Sequence, residues 1–280
     1  MSSLSSSSHS HSFNFDPFYS AHKHIDPKWL AWFIGFSEGD GGLHVSRGHC
    51  TFGITQNEES VLQEIKSVLG FGRVYFDHSA NCFRYRVSTA AEVLKLALLF
   101  NGNLATKNKI EQLEKWIEAL NKKDANLTFI CRPFLPTLND GWLSGFTDAE
   151  GCFYVSVIKQ KSKSNLVNSE GVAVVKVYNR IVTRFVIDQK EETILLHIKT
   201  LFGFGSVCKT GDPGVFRYVN GSYKANYVTV DYYGLFPLKT KKQAAYLKWC
   251  DIRTKLLAKE HLSPEGLEKI RELAKLINNE

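Results

Sequence analysis

Trp29-Leu30-Ala31-Trp32-Phe33-Ile34-Gly35-Phe36-Ser37-Glu38-Gly39-Asp40-Gly41-Gly42 and, far downstream, Gly141-Trp142-Leu143-Ser144-Gly145-Phe146-Thr147-Asp148-Ala149-Glu150-Gly151-Cys152 are two copies of one pattern. Gly35 falls on Gly145, Phe36 on Phe146, Glu38 on Asp148, Asp40 on Glu150 and Gly41 on Gly151, an offset of 150 − 40 = 110 residues. Ala31, Gly35 and Gly39 recur every fourth residue, as do Gly141, Gly145 and Ala149, so each copy carries small residues on one helix face. Such faces let two helix backbones approach closely. Asp26-Pro27 is a start signal, with Asp as N-cap and Pro in the first helical position, and Gly41-Gly42 and Gly151 are stop signals. Asp40 and Glu150 then sit at helix C-termini, where the macrodipole disfavours an anion. Packing the two helices face to face brings the carboxylates together and adds like-charge repulsion. Two unfavourable terms at one place call for a divalent cation, Mg²⁺ held by carboxylate, carbonyl and water oxygens.

The repeat extends past the motif. Leu43 to Arg47 and Phe153 to Val157 alternate in polarity as strands. Phe52 to Asn57 and Phe185 to Lys190 follow as second strands, then helices over Ser60 to Leu69 and Thr193 to Phe202. Nearly identical turns come next, Gly70-Phe71-Gly72 and Gly203-Phe204-Gly205. Hairpin strands carry Arg84, Arg86 and Arg217, and helices over Thr106 to Asn121 and Thr240 to Lys259 close the halves. Ser263-Pro264-Glu265 caps one further helix, through about Ile277. The expected fold is α+β: two pseudo-symmetric αββαββα halves whose saddle-shaped antiparallel sheets flank a central two-helix interface through Gly35 and Gly145. The expected organisation is a disordered Ser/His-rich lead over 1–24, an N-terminal half over 25–120, a linker over 121–139 with Pro133 and Pro136, and a C-terminal half over 140–280.

Lys and Arg exceed Asp and Glu by 35 − 28 = 7, and the isoelectric point is near 9.0. This excess fits a polyanionic partner. The six cysteines form no Cys-x-x-Cys pair and read as free thiols of a reducing compartment. No apolar run is long enough for a membrane span, and the lead has neither the Arg content of a transit peptide nor the apolar stretch of a signal peptide. No Gly-rich phosphate loop or Ser-His-Asp set appears. Each expected sheet has one polar face, on which His44, Ser46, Thr55, Arg84, Arg86, Tyr154, Ser156, Gln160, Arg217 and Lys224 are placed. A strand of about ten residues spans about 33 Å, near one turn of DNA, so two sheets cover about 20 base pairs. Arg and Gln suit base edges, Ser and Tyr bases or phosphates. Lys159 to Ser164, including Lys161, reads as a loop that clamps phosphate.

These residues resemble the single-chain, two-motif LAGLIDADG homing endonucleases of organellar introns: Phe33 to Gly41 and Leu143 to Gly151 match the family motif, and the likeness runs from about Asp26 to the C-terminus. The resemblance implies that Asp40 and Glu150, with the carbonyls of Gly39 and Ala149, bind metal at scissile phosphates. It implies Mg²⁺ as cofactor, Ca²⁺ supporting binding without cleavage, and Mn²⁺ as a substitute. Each acid then serves one strand across the minor groove, leaving short 3′ overhangs. Gln56 and Gln189 match a water-positioning residue. A transition-state lysine matches the Thr106-Lys107-Asn108-Lys109 and Thr240-Lys241-Lys242 segments in an ambiguous register, so Lys107 or Lys109 and Lys241 or Lys242 stay open; family spacing favours Lys242, with Asn108 then its counterpart. Glu38 and Asp148 are expected to bond across the helix pair instead. The implied partner is double-stranded DNA, with intron RNA as a second, no membrane, a monomer with pseudo-two-fold symmetry, and a mitochondrial or chloroplast location. An RNA maturase assisting intron splicing and a catalytically silent DNA-binding protein are the alternative readings, and both make less use of paired acids. The termini, Met1-Ser2 and Asn278-Asn279-Glu280, do not suggest an intein.

Overall fold

A computed structural model describes residues 12–167 and 173–278. The order of elements is α1 (Asp16–Ala21), α2 (Pro27–Asp40), β1 (Gly41–Ser46), β2 (His49–Gln56), α3 (Glu59–Leu69), β3 (Arg73–Asp77), β4 (Cys82–Val87), α4 (Ala90–Phe100), α5 (Lys107–Asn121), α6 (Trp142–Glu150), β5 (Gly151–Val167), β6 (Ala173–Gln189), α7 (Glu192–Phe202), β7 (Ser206–Lys209), β8 (Phe216–Asn220), α8 (Tyr227–Leu235), α9 (Lys242–Leu257) and α10 (Pro264–Asn278). The two antiparallel sheets have the same order, β1-β2-β4-β3 and β5-β6-β8-β7. The fold is thus α+β and duplicated. Apart from the expected α10, each half carries one helix more than αββαββα: α4 in the first and α8 in the second.

Contacts divide the chain into Met1–Ala149 and Glu150–Glu280. The expected boundary in the 121–139 linker differs because that segment docks on the first unit. Phe134 is buried and its N–H donates to the Leu104 carbonyl at 2.7 Å, and the Asn101 and Asn121 side chains bond the backbone of Thr128, Ile130 and Leu127. Of the expected disordered lead, residues 1–11 lie outside the described residues, while 12–24 are folded. Phe18 of α1 is fully buried, Phe13 stacks on Phe134, and a His22 ring nitrogen lies 2.7 Å from the Leu69 carbonyl. Three phenylalanines, Phe13, Phe15 and Phe18, give this short stretch apolar surface that a Ser/His tract lacks.

In the first unit, α2 starts as its sequence dictates, with the Asp26 carboxylate accepting from the Lys28 N–H at 2.9 Å and Pro27 in the first turn. It buries Trp29 through Glu38 on all sides. Its C-terminus is not a left-handed glycine cap: Gly41 is extended (φ −82°, ψ 152°) and the chain passes straight into β1. A side chain at Gly41 would instead meet the Ser37 carbonyl at 2.5 Å and the Phe52 ring at 2.9 Å, so packing selects the glycine. Helix α6 lies against α2. A Cβ at Gly35 would stand 2.0 Å from the Trp142 carbonyl oxygen, and one at Gly145 1.8 Å from that of Trp32. Only glycine fits at either place. Phe33, Phe52, Tyr85 and Phe100 form the aromatic core beneath the sheet.

The second unit repeats this core with Phe153, Phe185, Tyr218, Tyr233 and Trp249. Its duplication reaches fine detail. Gly72 and Gly205 both take left-handed backbone (φ 80° and 94°) over the rings of Tyr85 and Tyr218. Those tyrosines donate to the Phe71 and Phe204 carbonyls at 3.1 Å each. The units differ in hairpin length: β5 and β6 each run 17 residues, against 6 for β1 and 8 for β2. The stretch from Lys159 to Ser164, expected as a loop, lies inside β5 and pairs with β6, Lys159 with Asn179 and Lys161 with Val177. Lysine and serine there alternate along a strand rather than marking a turn.

Candidate functional site

Both motif acids stand where helix passes into strand. Asp40 ends α2 and Glu150 ends α6; each is half-buried, as are Gly39 and Ala149 before them. Each acid accepts from a glutamine amide one strand away, Asp40 from Gln56 at the end of β2 and Glu150 from Gln189 at the end of β6, the latter at 3.2 Å. The register fixes these approaches, since Gly41 pairs with Ile54 and Gly151 with Ile187, two residues before each glutamine.

The lysines resolve differently from the sequence alone. Lys107 is exposed and sits 3.7 Å from Glu111 on its own helix. Lys109 is buried and donates its ammonium to the Gly41 carbonyl, beside Asp40. Of the two, Lys109 is the one whose ammonium reaches the first junction, because it lies two residues further round the first turn of α5 and so on another side of the helix from the exposed Lys107. In the second unit Lys241 is exposed and Lys242 half-buried. Desolvation raises the Cys152 pKa, and the charges of Lys242 and Arg217 offset part of that rise.

Glu38 and Asp148 hold structure. The Glu38 carboxylate accepts from the Ala105 and Thr106 N–H groups at 2.9 and 2.7 Å, the Thr106 hydroxyl at 2.7 Å and the Trp142 indole at 2.5 Å. Asp148 accepts from the Trp32 indole at 2.8 Å. The indoles are reciprocal, 142 − 32 = 110 residues apart, and each crosses from one helix to the acid of the other. Burial raises the Glu38 pKa, and its donors offset only part of that. The tryptophans' role was readable from the motif alignment, in which they fall on each other.

One face of each sheet is open. In the first unit it carries His44, Ser46, Thr51, Thr55, Arg73, Tyr75, Arg84 and Arg86, aligned by register: His44 with Thr51, Thr55 with Arg84, Arg86 with Arg73, Arg84 with Tyr75. In the second it carries Tyr154, Ser156, Gln160, Tyr178, Arg180, Arg184 and Arg217, with Tyr154 opposite Arg184 and Gln160 opposite Tyr178. Thr51, Arg73, Tyr75, Tyr178, Arg180 and Arg184 were missed by sequence reasoning, although a period of two counted from His44 or Tyr154 across the pairs would have found them. Lys161 is exposed but has the opposite strand parity to Gln160, and Lys224 is exposed in the turn between β8 and α8, off the sheet. The acids of these faces, Asp77 and Asp188, are paired with Arg84 at 2.7 Å and Arg217 at 2.5 Å.

Among the described residues no group of three or more His, Cys, Asp or Glu could hold a metal ion, and no helix is long and apolar enough to cross a membrane. An ion at either centre would have one carboxylate, with helix-end carbonyls. That all-oxygen set suits Mg²⁺, which keeps several waters and takes one or two carboxylates together with substrate phosphate. The residues fit the ion.

A duplicated α+β fold with an acid and a glutamine at each helix-to-strand junction defines the class. The family model described as LAGLIDADG endonuclease matches residues 33–120 and 143–253, and the chain belongs to that family. It is 35% identical over 257 residues to probable intron-encoded endonuclease 4 of Neurospora crassa, covering 90% of this chain and 44% of that protein. It is 22% identical over 255 residues to the uncharacterized cox1 intron-2 37.2 kDa protein of Schizosaccharomyces pombe, covering 89% of this chain and 74% of that one. The chain thus spans less than half the length of its Neurospora relative. The fold is similar to the LAGLIDADG meganuclease I-AabMI bound to uncleaved DNA (TM-score 0.68, 21% identity, 90% of this chain and 99% of that one). It is also similar to the homing endonuclease I-LtrWI bound to target DNA (TM-score 0.65, 20% identity, 89% and 97%).

Proposed function

We propose that this chain is a site-specific double-strand DNA endonuclease of the homing type, which recognises a target of about 20 base pairs and hydrolyses one phosphodiester in each strand to leave short 3′ overhangs. The observation that carries the reading is the acid–glutamine pair present in both halves, Asp40 with Gln56 and Glu150 with Gln189. Mg²⁺, held by Asp40 with the Gly39 carbonyl and by Glu150 with the Ala149 carbonyl, would supply Lewis-acid charge stabilisation and water of lowered pKa; Ca²⁺ would support binding without cleavage and Mn²⁺ would substitute. The glutamine amides orient the attacking water by donating and accepting at once. The ammonium groups of Lys109 and Lys242 offset charge that develops on the phosphate. The open sheet faces bind the duplex: arginines and lysines neutralise phosphates, and Arg, Gln and Thr read base edges. The chain works as a monomer, and its cutting promotes intron homing. A mitochondrial origin is supported by relatives whose names place them in cox1 and ND4 introns. A maturase would not need the acids.

The test is cleavage of a supercoiled plasmid carrying the selected target. Asp40→Asn and Glu150→Gln should each bind the target normally but nick one strand or neither. Full double-strand cutting by either variant would remove the assignment.

A further inference from the structure

Arg84 on β4 and Arg217 on β8 are equivalent positions, each directly before the tyrosine that bonds a turn carbonyl at 3.1 Å. Their neighbours are exchanged. Thr55 faces Arg84 in register on β2, whereas Asp188 faces Arg217 on β6. On the other side, Asp77 ends β3, while its counterpart by register, Thr210, follows β7 and bonds the Val215 carbonyl at 3.1 Å. Carboxylate and threonine have traded places between the halves. Arg84 consequently lies toward β3, its Nε 2.7 Å from an Asp77 oxygen as an ion pair without hydrogen-bond geometry. Arg217 is drawn toward β6 through Nε and Nη2, at 2.6 and 2.5 Å from the two Asp188 oxygens.

We infer that Asp188 is a positioning residue that fixes Arg217 as a guanine reader of the second half-site, and that Asp77 aims Arg84 in the opposite sense, so that the two half-sites differ at equivalent positions. The proposal rests on the reading of these faces as DNA-binding. A guanidinium held along its Nε/Nη2 edge still presents its terminal edge, with one N–H each from Nη1 and Nη2. That edge matches the O6 and N7 acceptors of guanine in the major groove. The carboxylate removes the rotamer freedom that a long side chain would otherwise lose on binding. An aspartate on a face that meets phosphates would repel them if unpaired, and both Asp188 oxygens are already engaged by Arg217. Threonine in the Asp188 position, as Thr55 is in the first half, cannot do this.

The experiment is a binding selection from randomised double-stranded DNA in Ca²⁺, sequenced for the wild type and for Asp188→Ala, Asp188→Asn, Arg217→Ala and Asp77→Ala. The expected wild-type profile has a guanine whose preference falls about tenfold in Asp188→Ala and Arg217→Ala, at one position of one half-site. Asp188→Asn, which keeps one acceptor, should lie between. Asp77→Ala should change the other half-site only. Affinity for unselected DNA should stay level or rise in Asp188→Ala, because a negative charge leaves the face. A uniform loss of affinity across the profile in Asp188→Ala and Asp188→Asn would show a merely structural role and overturn the inference. So would profiles identical to the wild type's. A wild-type protein that selects no sequence at all would instead overturn the DNA-binding reading beneath it.

Discussion

Substituting Gly145 with alanine should cost this protein more than any other single methyl group. The added Cβ would lie 1.8 Å from the Trp32 carbonyl oxygen and 2.8 Å from the Phe36 nitrogen, both backbone atoms that cannot rotate away. Restoring even a 3.0 Å separation requires α6 to move off α2 by 3.0 − 1.8 = 1.2 Å. The same movement stretches the Trp32–Asp148 bond from 2.8 to about 4.0 Å and the Trp142–Glu38 bond from 2.5 to about 3.7 Å, beyond hydrogen-bond reach. Each is a bond to a buried carboxylate, roughly 1.5–3 kcal/mol. Alanine recovers about 1 kcal/mol of helix propensity over glycine. The net loss is therefore about 2–5 kcal/mol. Urea unfolding followed by tryptophan fluorescence measures it, since Trp29, Trp32, Trp116 and Trp142 all lie in the first unit. Gly211→Ala is the control: nothing lies within 4 Å of its added Cβ, and its stability should stay within about 0.5 kcal/mol of wild type. A Gly145→Ala protein as stable as that control would refute the close packing of these helices.

Three further outcomes follow from the same geometry. Glu38 has a folded pKa raised above 4.5 by burial; its contribution is fully present below that pH and is lost as pH rises through the folded value, so the stability difference between wild type and Glu38→Gln should shift against wild type between acid and neutral pH. Equal pH profiles would contradict the shift. Lys109→Met should lower cleavage at least tenfold with binding preserved, whereas Lys107→Ala, altering a side chain 81% exposed, should cut at the wild-type rate; the reverse order in plasmid assays would reinstate Lys107. The 17-residue strands of the second hairpin reach about 56 Å against about 26 Å for the 8-residue β2, so hydroxyl-radical footprints should extend up to about nine base pairs further on one side of the cut. Arg180→Ala should shorten that side alone, and a symmetric footprint would count against it.

The motif helices, the glycines at their contact and the strand pattern that follows were legible because each is a local rule repeated twice. Gly35 and Gly145 meet backbone as the small-residue stripe implied, and Gln56 and Gln189 reach the acids because register carries them there. Helix α4 escaped notice even though Thr89 accepts from the Glu92 N–H and the two residues spell a capping signal. Helix α8 is built of Tyr, Val and Thr, residues that favour strands, and tertiary burial of Thr229, Tyr232 and Tyr233 overrides that preference. The choice between Lys107 and Lys109 was not available from spacing, since it depends on which way the first turn of α5 faces. The arginine partners Asp77 and Asp188 were equally hidden, because cross-strand neighbours lie far apart in sequence.

The most direct measurement of the central claim is a cleavage selection: the purified chain incubated with a randomised double-stranded DNA library in Mg²⁺, and in Ca²⁺ as control, with all new ends sequenced. The account predicts paired breaks with short 3′ overhangs within one long, asymmetric site, in Mg²⁺ only. An absence of breaks in Mg²⁺, together with tight binding to structured intron RNA, would contradict it and place the chain among the maturases.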